Sequence, residues 1–191
     1  MEKQLSLLFE TMRANVLRQS NAAKPSTPKK DASADTTSPI TIHIDGAARG
    51  NPGPAGAGIY GVYKHKAVIK KGLYLGEKTN NQAEYLALVL ALLYVHELCE
   101  TENITTAPLH IFSDSELLVR QMTGVYKIKN KDLATLKRFI DLHLKKYTYQ
   151  FTHVMREKNK EADKLANAGV DKKTKIPASF LKVLAQAELS I

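Results

Sequence analysis

Four carboxylates sit at positions from which acidic groups could converge: Asp45, Glu84, Asp114 and Asp163. Asp45 closes the alternating run Ile40-Thr41-Ile42-His43-Ile44, and Asp114 closes the apolar run PLHIFSD at 108–114. Glu84 reads as part of the first turn of a helix entered through Thr79, Asn80, Asn81 and Gln82. Asp163 reads as part of the first turn of a helix opened by Asn159. Strand ends and helix first turns meet on one edge of an α/β sheet, where ligands bind. The helix macrodipole alone explains a single acidic residue in a first turn, and Asp114 has a competing role as cap of the helix behind it. Asp45 has no such local role. Converging carboxylates repel and raise one another's pKa, so together they call for cations. An oxygen-only ligand set suits Mg²⁺ or Mn²⁺ rather than zinc. Two such ions about 3.5–4 Å apart activate water and stabilise a leaving oxygen in phosphodiester hydrolysis.

The elements that must position these groups follow from periodicity. A strand is expected at 40–45, then a loop rich in small residues. A hairpin follows, formed by AGIYGVYKH and AVIKKGLYLG with its turn near Lys64 to Lys66. Residues 81–99 have the wide apolar face of a long helix. A short buried strand is expected at 108–114 and helices at 115–122 and 131–146. A strand at 147–154, a helix at 159–170 and a final amphipathic segment, ASFLKVLAQAELSI, complete the chain. Hairpin-ordered strands followed by alternating helices and strands imply an α/β domain, a mixed sheet with helices packed on its faces. Ahead of it, Leu5, Leu8, Phe9, Met12 and Val16 fall at helical spacing, followed by a linker rich in Ser, Thr, Ala, Pro and Lys.

The chain has 191 residues, 43% of them hydrophobic, which is enough for a real core. No apolar run reads as approaching the roughly 20 residues of a membrane span. The only cysteine, Cys99, excludes an internal disulfide and a cysteine-based zinc site. The formal charge is +9, and residues 1–40 hold just 6 basic and 4 acidic residues, so most of the excess lies in the main domain. Such a surface favours nucleic acid or another polyanion, with a plain solvated surface as the alternative.

DGAARGNPGPAG, TNNQAEYLAL, SDSELLVRQM and REKNKEADKLAN resemble, in order and spacing, the four motifs of type 1 ribonuclease H, across about residues 40–170. The resemblance implies the RNase H-like α/β fold, a five-stranded mixed sheet with helices on both faces. It also implies a metal-dependent endoribonuclease that cuts the RNA strand of RNA–DNA hybrids to 5′-phosphate and 3′-hydroxyl products. Asp45, Glu84, Asp114 and Asp163 would be catalytic and would hold two Mg²⁺ ions, with Mn²⁺ as an alternative. Asn51, Asn80 and Asn81 match positions that reach the hybrid minor groove. Glu84 and the backbone at Gly46 match positions that meet ribose 2′-hydroxyls. Thr79 and Asn130 match a pocket for a phosphate of the DNA strand. Asn80 and Asn81 also suit an N-cap, so one of them caps while the other binds.

The implied organisation is an amphipathic helix at 1–20, a linker at 21–39, a catalytic domain at 40–172 and a helical extension at 173–191. The expected partner is an RNA–DNA hybrid, with no membrane. The N-terminal helix is a candidate for protein docking or self-association, and the protein is otherwise expected to be a monomer in the cytoplasm. Many relatives carry a loop histidine before the last helix. Here that stretch is VMREKNKEAD, leaving Arg156, Glu157 or Lys158 for that role, or no residue; His153 reads as part of the strand. The basic, tryptophan-bearing protrusion of some relatives is replaced by TGVYKIKNKDL, with Lys127, Lys129 and Lys131, as in the short prokaryotic form. A non-catalytic hybrid- or double-stranded-RNA-binding module, or another nuclease of the superfamily, remain the alternative readings.

Overall fold

The computed structural model describes residues 38–189. The N-terminal helix and nearly all of the linker expected from the sequence lie outside them. The described chain runs β1 (Ile40–Ala48), β2 (Gly53–Tyr63), β3 (Lys66–Lys78), α1 (Asn80–Thr101), β4 (Leu109–Ser113), α2 (Glu116–Met122), α3 (Lys131–Leu144), β5 (Tyr149–His153), a 3₁₀ turn at Arg156–Lys158, α4 (Lys160–Lys172) and α5 (Ala178–Gln186). The five strands form one mixed sheet in the order β3-β2-β1-β4-β5. β1 pairs antiparallel with β2 and β2 with β3, whereas β1–β4 and β4–β5 are parallel. The hairpin turn falls at Lys64 and His65, both at positive φ.

Helices cover both faces, and glycine positions show where. Asp45 pairs with Gly58 and Gly46 with Ala57, so each pair projects to one side of the sheet. A Cβ on Gly46 would lie 2.2 Å from the backbone N of Glu84 in α1. A Cβ on Gly58 would lie 2.0 Å from the carbonyl of Ala162 in α4. Helix α1 therefore crosses β1 on one face, and α4 crosses β2 on the other. Each approach is close enough to need a glycine.

Two expectations from the sequence change. β1 does not stop at Asp45 but runs on to Ala48, so Asp45 is an interior strand residue and the loop is shortened to residues 49–52. Gly46 is bare because a helix backbone crosses it. Helix α1, with 22 residues, is long and apolar enough by length and composition to cross a membrane, contrary to the reading that no such run exists. Every residue from Ala83 to His96 is buried inside the protein, so it serves here as the core helix. The segment behind α4 shares that core: Ile176, Phe180, Val183, Leu184 and Leu189 belong to the same buried cluster as the isoleucines of β1.

Phe180 is 2% exposed and meets Tyr94 of α1 edge-to-face at 4.7 Å. Phe180→Ala should cost about 3–5 kcal/mol of folding stability. Thermal or denaturant melting checks this, and a near-neutral result would show that α5 is not part of the core.

Candidate active site

Alternation along β1 buries Ile40, Ile42 and Ile44 on the α1 face and turns His43 and Asp45 to the α4 face. The parallel ladder between β1 and β4 ends where Ile44 meets Ser113. Asp114 follows directly, so the two aspartates stand side by side where β4 stops. Glu84 reaches the same point from α1. It is not in the helix first turn, because α1 begins at Asn80 and its first turn holds no acidic residue. The macrodipole argument for Glu84 therefore falls. What holds Glu84 is its carboxylate accepting a hydrogen bond from the backbone N–H of Gly46.

Among the described residues, Asp45, Glu84 and Asp114 form a group whose nearest carboxylate oxygens lie within 4.8 Å of one another. Asp45 is 6% exposed and Glu84 5%. Burial first, and then the charges of Asp114 and Asp163, push Asp45 up to about 7, while Arg156 pulls the other way. Burial, followed by Asp45 and Asp114, drives Glu84 well above the usual carboxylate range. One oxygen of Glu84, Oε2, is buried with no hydrogen-bond partner. A buried anionic oxygen without a donor is costly, and a divalent cation would satisfy it and relieve the repulsion together. An all-oxygen set of this kind fits Mg²⁺ or Mn²⁺.

Asp163 stands beside this group, not in it. It lies in the first turn of α4, as expected, and accepts a hydrogen bond at 2.8 Å from Nη2 of Arg156. Its charge still acts on Asp45. Asp114 does not cap the helix behind it: Ser115 does, accepting from Leu118 N–H. His153 ends β5, and its Nε2 donates to the Asp114 carbonyl at 3.2 Å.

Asn159 was read from the sequence only as the start of a helix. It is 1% exposed and stands at the N-cap of α4, but its side chain makes no capping hydrogen bond. Its Nδ2 donates to Asp114 Oδ1 at 2.7 Å and to the Ile44 carbonyl at 2.9 Å, so it ties Asp114, just past β4, to the β1 backbone next to Asp45. An asparagine four residues before an acidic helix position was the available signal, and its N-cap appearance masked it.

Most of the residues expected to bind substrate gather around the starts of α1 and α3. Neither Asn80 nor Asn81 caps α1. Thr79 does, in a reciprocal box with Gln82: Thr79 Oγ1 accepts from Gln82 N–H at 3.3 Å, and Gln82 Oε1 accepts from Thr79 N–H at 2.9 Å. The Thr-x-x-Gln spacing is the sequence signature of this box. Asn51 Oδ1 accepts from Asn80 N–H at 3.1 Å, which pins the β1–β2 loop to the start of α1. Asn130 caps α3, accepting from the N–H groups of Asp132 and Leu133. Gln82 Nε2 donates to Asp132 at 3.4 Å, so Thr79 and Asn130 belong to neighbouring helix N-termini. Asn51, Asn80, Asn81 and Asn130 are exposed, while Gly46 is buried.

A mixed sheet carrying a buried, oxygen-only acidic cluster beside the ends of its parallel strands has the makings of a divalent-cation enzyme site. The family described as reverse transcriptase-like matches residues 43–169. A ribonuclease H of Pseudomonas putida is 31% identical over 141 residues, covering 69% of this chain and 93% of its own. A bifunctional protein of Mycobacterium tuberculosis is 35% identical over 137 residues, again 69% of this chain, and the match spans 35% of that protein's length. LC11-RNase H1, isolated from compost by a metagenomic approach, superposes with a TM-score of 0.65 at 39% identity, over 70% of this chain and 96% of its own. It is also known in complex with an RNA/DNA hybrid. The chain belongs to the type 1 ribonuclease H family.

The raised Asp45 and Glu84 fix the sign of a pH effect. A carboxylate whose folded pKa is raised adds stability below its unfolded pKa of about 4 and loses it as pH rises through the folded value. Without divalent cations, the stability that Asp45 contributes should therefore fall as pH rises from about 4 through about 7, the value to which it is pushed. Asp45→Asn, which cannot ionise, should melt higher than wild type in chelator at about pH 8, with the gap closing near pH 4. Equal melting temperatures at the higher pH would contradict the repulsion.

Proposed function

We propose that this protein is a divalent-cation-dependent ribonuclease H that hydrolyses the RNA strand of RNA–DNA hybrids. The observation that carries this reading is the three-carboxylate cluster with its unpartnered Glu84 oxygen, at the motif positions of a chain in this family. Asp45, Glu84 and Asp114 are the residues that would hold the cations. Asp163, beside the cluster and hydrogen-bonded to Arg156, would complete a second position. Two Mg²⁺ ions are the expected complement, with Mn²⁺ as an alternative. When bound, such cations neutralise charge developing on the scissile phosphate and make an attacking water more acidic at neutral pH. Water then adds to phosphorus and the bond to the 3′-oxygen breaks, leaving a 5′-phosphate and a 3′-hydroxyl.

The protein's own contribution is placement. The β1 and β4 backbones fix Asp45 and Asp114, and the Gly46 N–H fixes Glu84. Asn51, Asn80 and Asn81 are proposed to reach the minor groove from the loop and helix start that Asn51 joins. Glu84 and the backbone at Gly46 are proposed to meet the 2′-hydroxyls, the group that distinguishes RNA from DNA. Thr79 and Asn130, at two adjacent helix N-termini, suit a phosphate of the DNA strand. Between α2 and α3, Val125 and Tyr126 are exposed beside Lys127 and Lys129, and the Tyr126 ring lies 5.1 Å from the Arg120 guanidinium. Exposed aromatic and basic side chains in one loop suit a nucleic-acid backbone.

A hybrid, a double-stranded RNA and a branched DNA, each incubated with Mg²⁺ or Mn²⁺, separate the readings. Only the hybrid should be cut, with binding that weakens steeply as salt rises. Asp45→Asn and Asp114→Asn should each lower cleavage by at least about 10²-fold, the scale of several kcal/mol of lost charge stabilisation. Intact cleavage in either variant would sink the mechanism, and cleavage of branched DNA in preference to hybrid would favour another nuclease of the superfamily. Removing residues 1–37 should leave hybrid cleavage in place, because every residue named in this reaction lies beyond them.

A further inference from the structure

The amide of Asn159 can deliver an N–H to Asp114 in only one of its two orientations. Both Nδ2 hydrogens are spent, one on Asp114 Oδ1 and one on the Ile44 carbonyl. Turned end for end, the amide would aim its oxygen at those same two oxygens. The working orientation therefore sends Oδ1 the other way, where it faces Nδ1 of His43 at 3.3 Å. His43 satisfies that buried oxygen as the tautomer with its proton on Nδ1. The imidazole is held in place: it stacks on Phe112 at 4.8 Å and 13°, and it tilts against Tyr60 at 6.4 Å. It can reach Asn159 because it lies two residues before Asp45 on β1 and so projects to the same face, the one that α4 crosses.

We propose that His43 is a positioning residue, acting through Asn159 to hold the Asp114 carboxylate in its place beside Asp45 and Glu84. The ring and Asp114 do not touch; the chain of donors runs His43 to Asn159 to Asp114. Without the His43 donor, the Asn159 oxygen is buried and unsatisfied, the amide loses its preference for the working orientation, and Asp114 loses the N–H that holds Oδ1. Outer hydrogen-bond partners of this kind typically change cation affinity or activity by about 10–100-fold when removed. This inference rests on reading the acidic cluster as a divalent-cation site.

The test measures Mn²⁺ binding by calorimetry and hybrid cleavage on the full chain, in wild type and variants. His43→Phe keeps an aromatic ring against Phe112 and removes the donor. It should weaken Mn²⁺ binding and lower kcat by about 10-fold or more, with KM for the hybrid little changed. His43→Asn puts an amide N–H in place of Nδ1–H and should recover most of both. In an Asn159→Ala background, His43→Phe should add no further loss, because the two act in series. Wild-type Mn²⁺ affinity in His43→Phe would overturn the proposal, as would equal losses in His43→Phe and His43→Asn, or losses that multiply with Asn159→Ala. A merely structural role would lower the melting temperature equally with and without Mn²⁺ and leave the affinity of the folded protein intact, which also overturns it. A wild-type chain that binds no Mn²⁺ would overturn the cation-site reading itself, and that outcome is distinct from any of the variant results.

Discussion

The structure turns on one unfavourable arrangement: three carboxylates drawn together where there is little water to screen them. In the absence of a cation, each ionised group destabilises the next, and burial adds to the penalty. A fold would not keep such a cluster by chance at the meeting point of two strands and a helix. Rigid surroundings hold it. Asp45 is anchored by the isoleucines that precede it in β1, Ile40, Ile42 and Ile44, which are buried under α1. Asp114 follows a strand paired on both edges. Glu84 is carried by the most buried helix among the described residues and tied to β1 through Gly46. Little of this can relax to let the charges separate, so the repulsion is available to bind cations.

Close backbone approach makes that rigidity possible. The missing side chain at Gly46 lets α1 lie against β1 so that Glu84 reaches Asp45, and the missing side chain at Gly58 lets α4 lie against β2 and bring Asp163 and Asn159 to the other face. A bulkier residue at either position would push one helix outward and pull an acidic group or its support out of reach. The small residues after Asp45 are thus explained first by packing within the protein. The proposed contact with a nucleic-acid backbone is compatible with the short loop they leave.

The acidic residues were legible in the sequence because strand alternation and strand endings announce Asp45 and Asp114, and the motif spacing brings in Glu84 and Asp163. Helices on both faces followed from the order of elements. Other features were less visible. β1 continues through Gly46-Ala47-Ala48, residues with weak strand preference, because pairing with β2 holds them there. Thr79 takes the cap that the neighbouring asparagines also suit, because its partner Gln82 stands three residues on. Asn159 and His43 act across 116 positions of sequence, and no local pattern reports a contact made only by tertiary folding. Asp163 stands outside the tight cluster and pairs with Arg156, a contact that the motif spacing does not report.

The most direct measurement is the anomalous diffraction of Mn²⁺ in crystals of this protein. The account predicts a peak coordinated by carboxylate oxygens of Asp45, Glu84 and Asp114, with the buried Oε2 of Glu84 facing it or a neighbouring ion. A crystal at saturating Mn²⁺ with no peak at these three residues, or with its peaks only elsewhere on the surface, would contradict it.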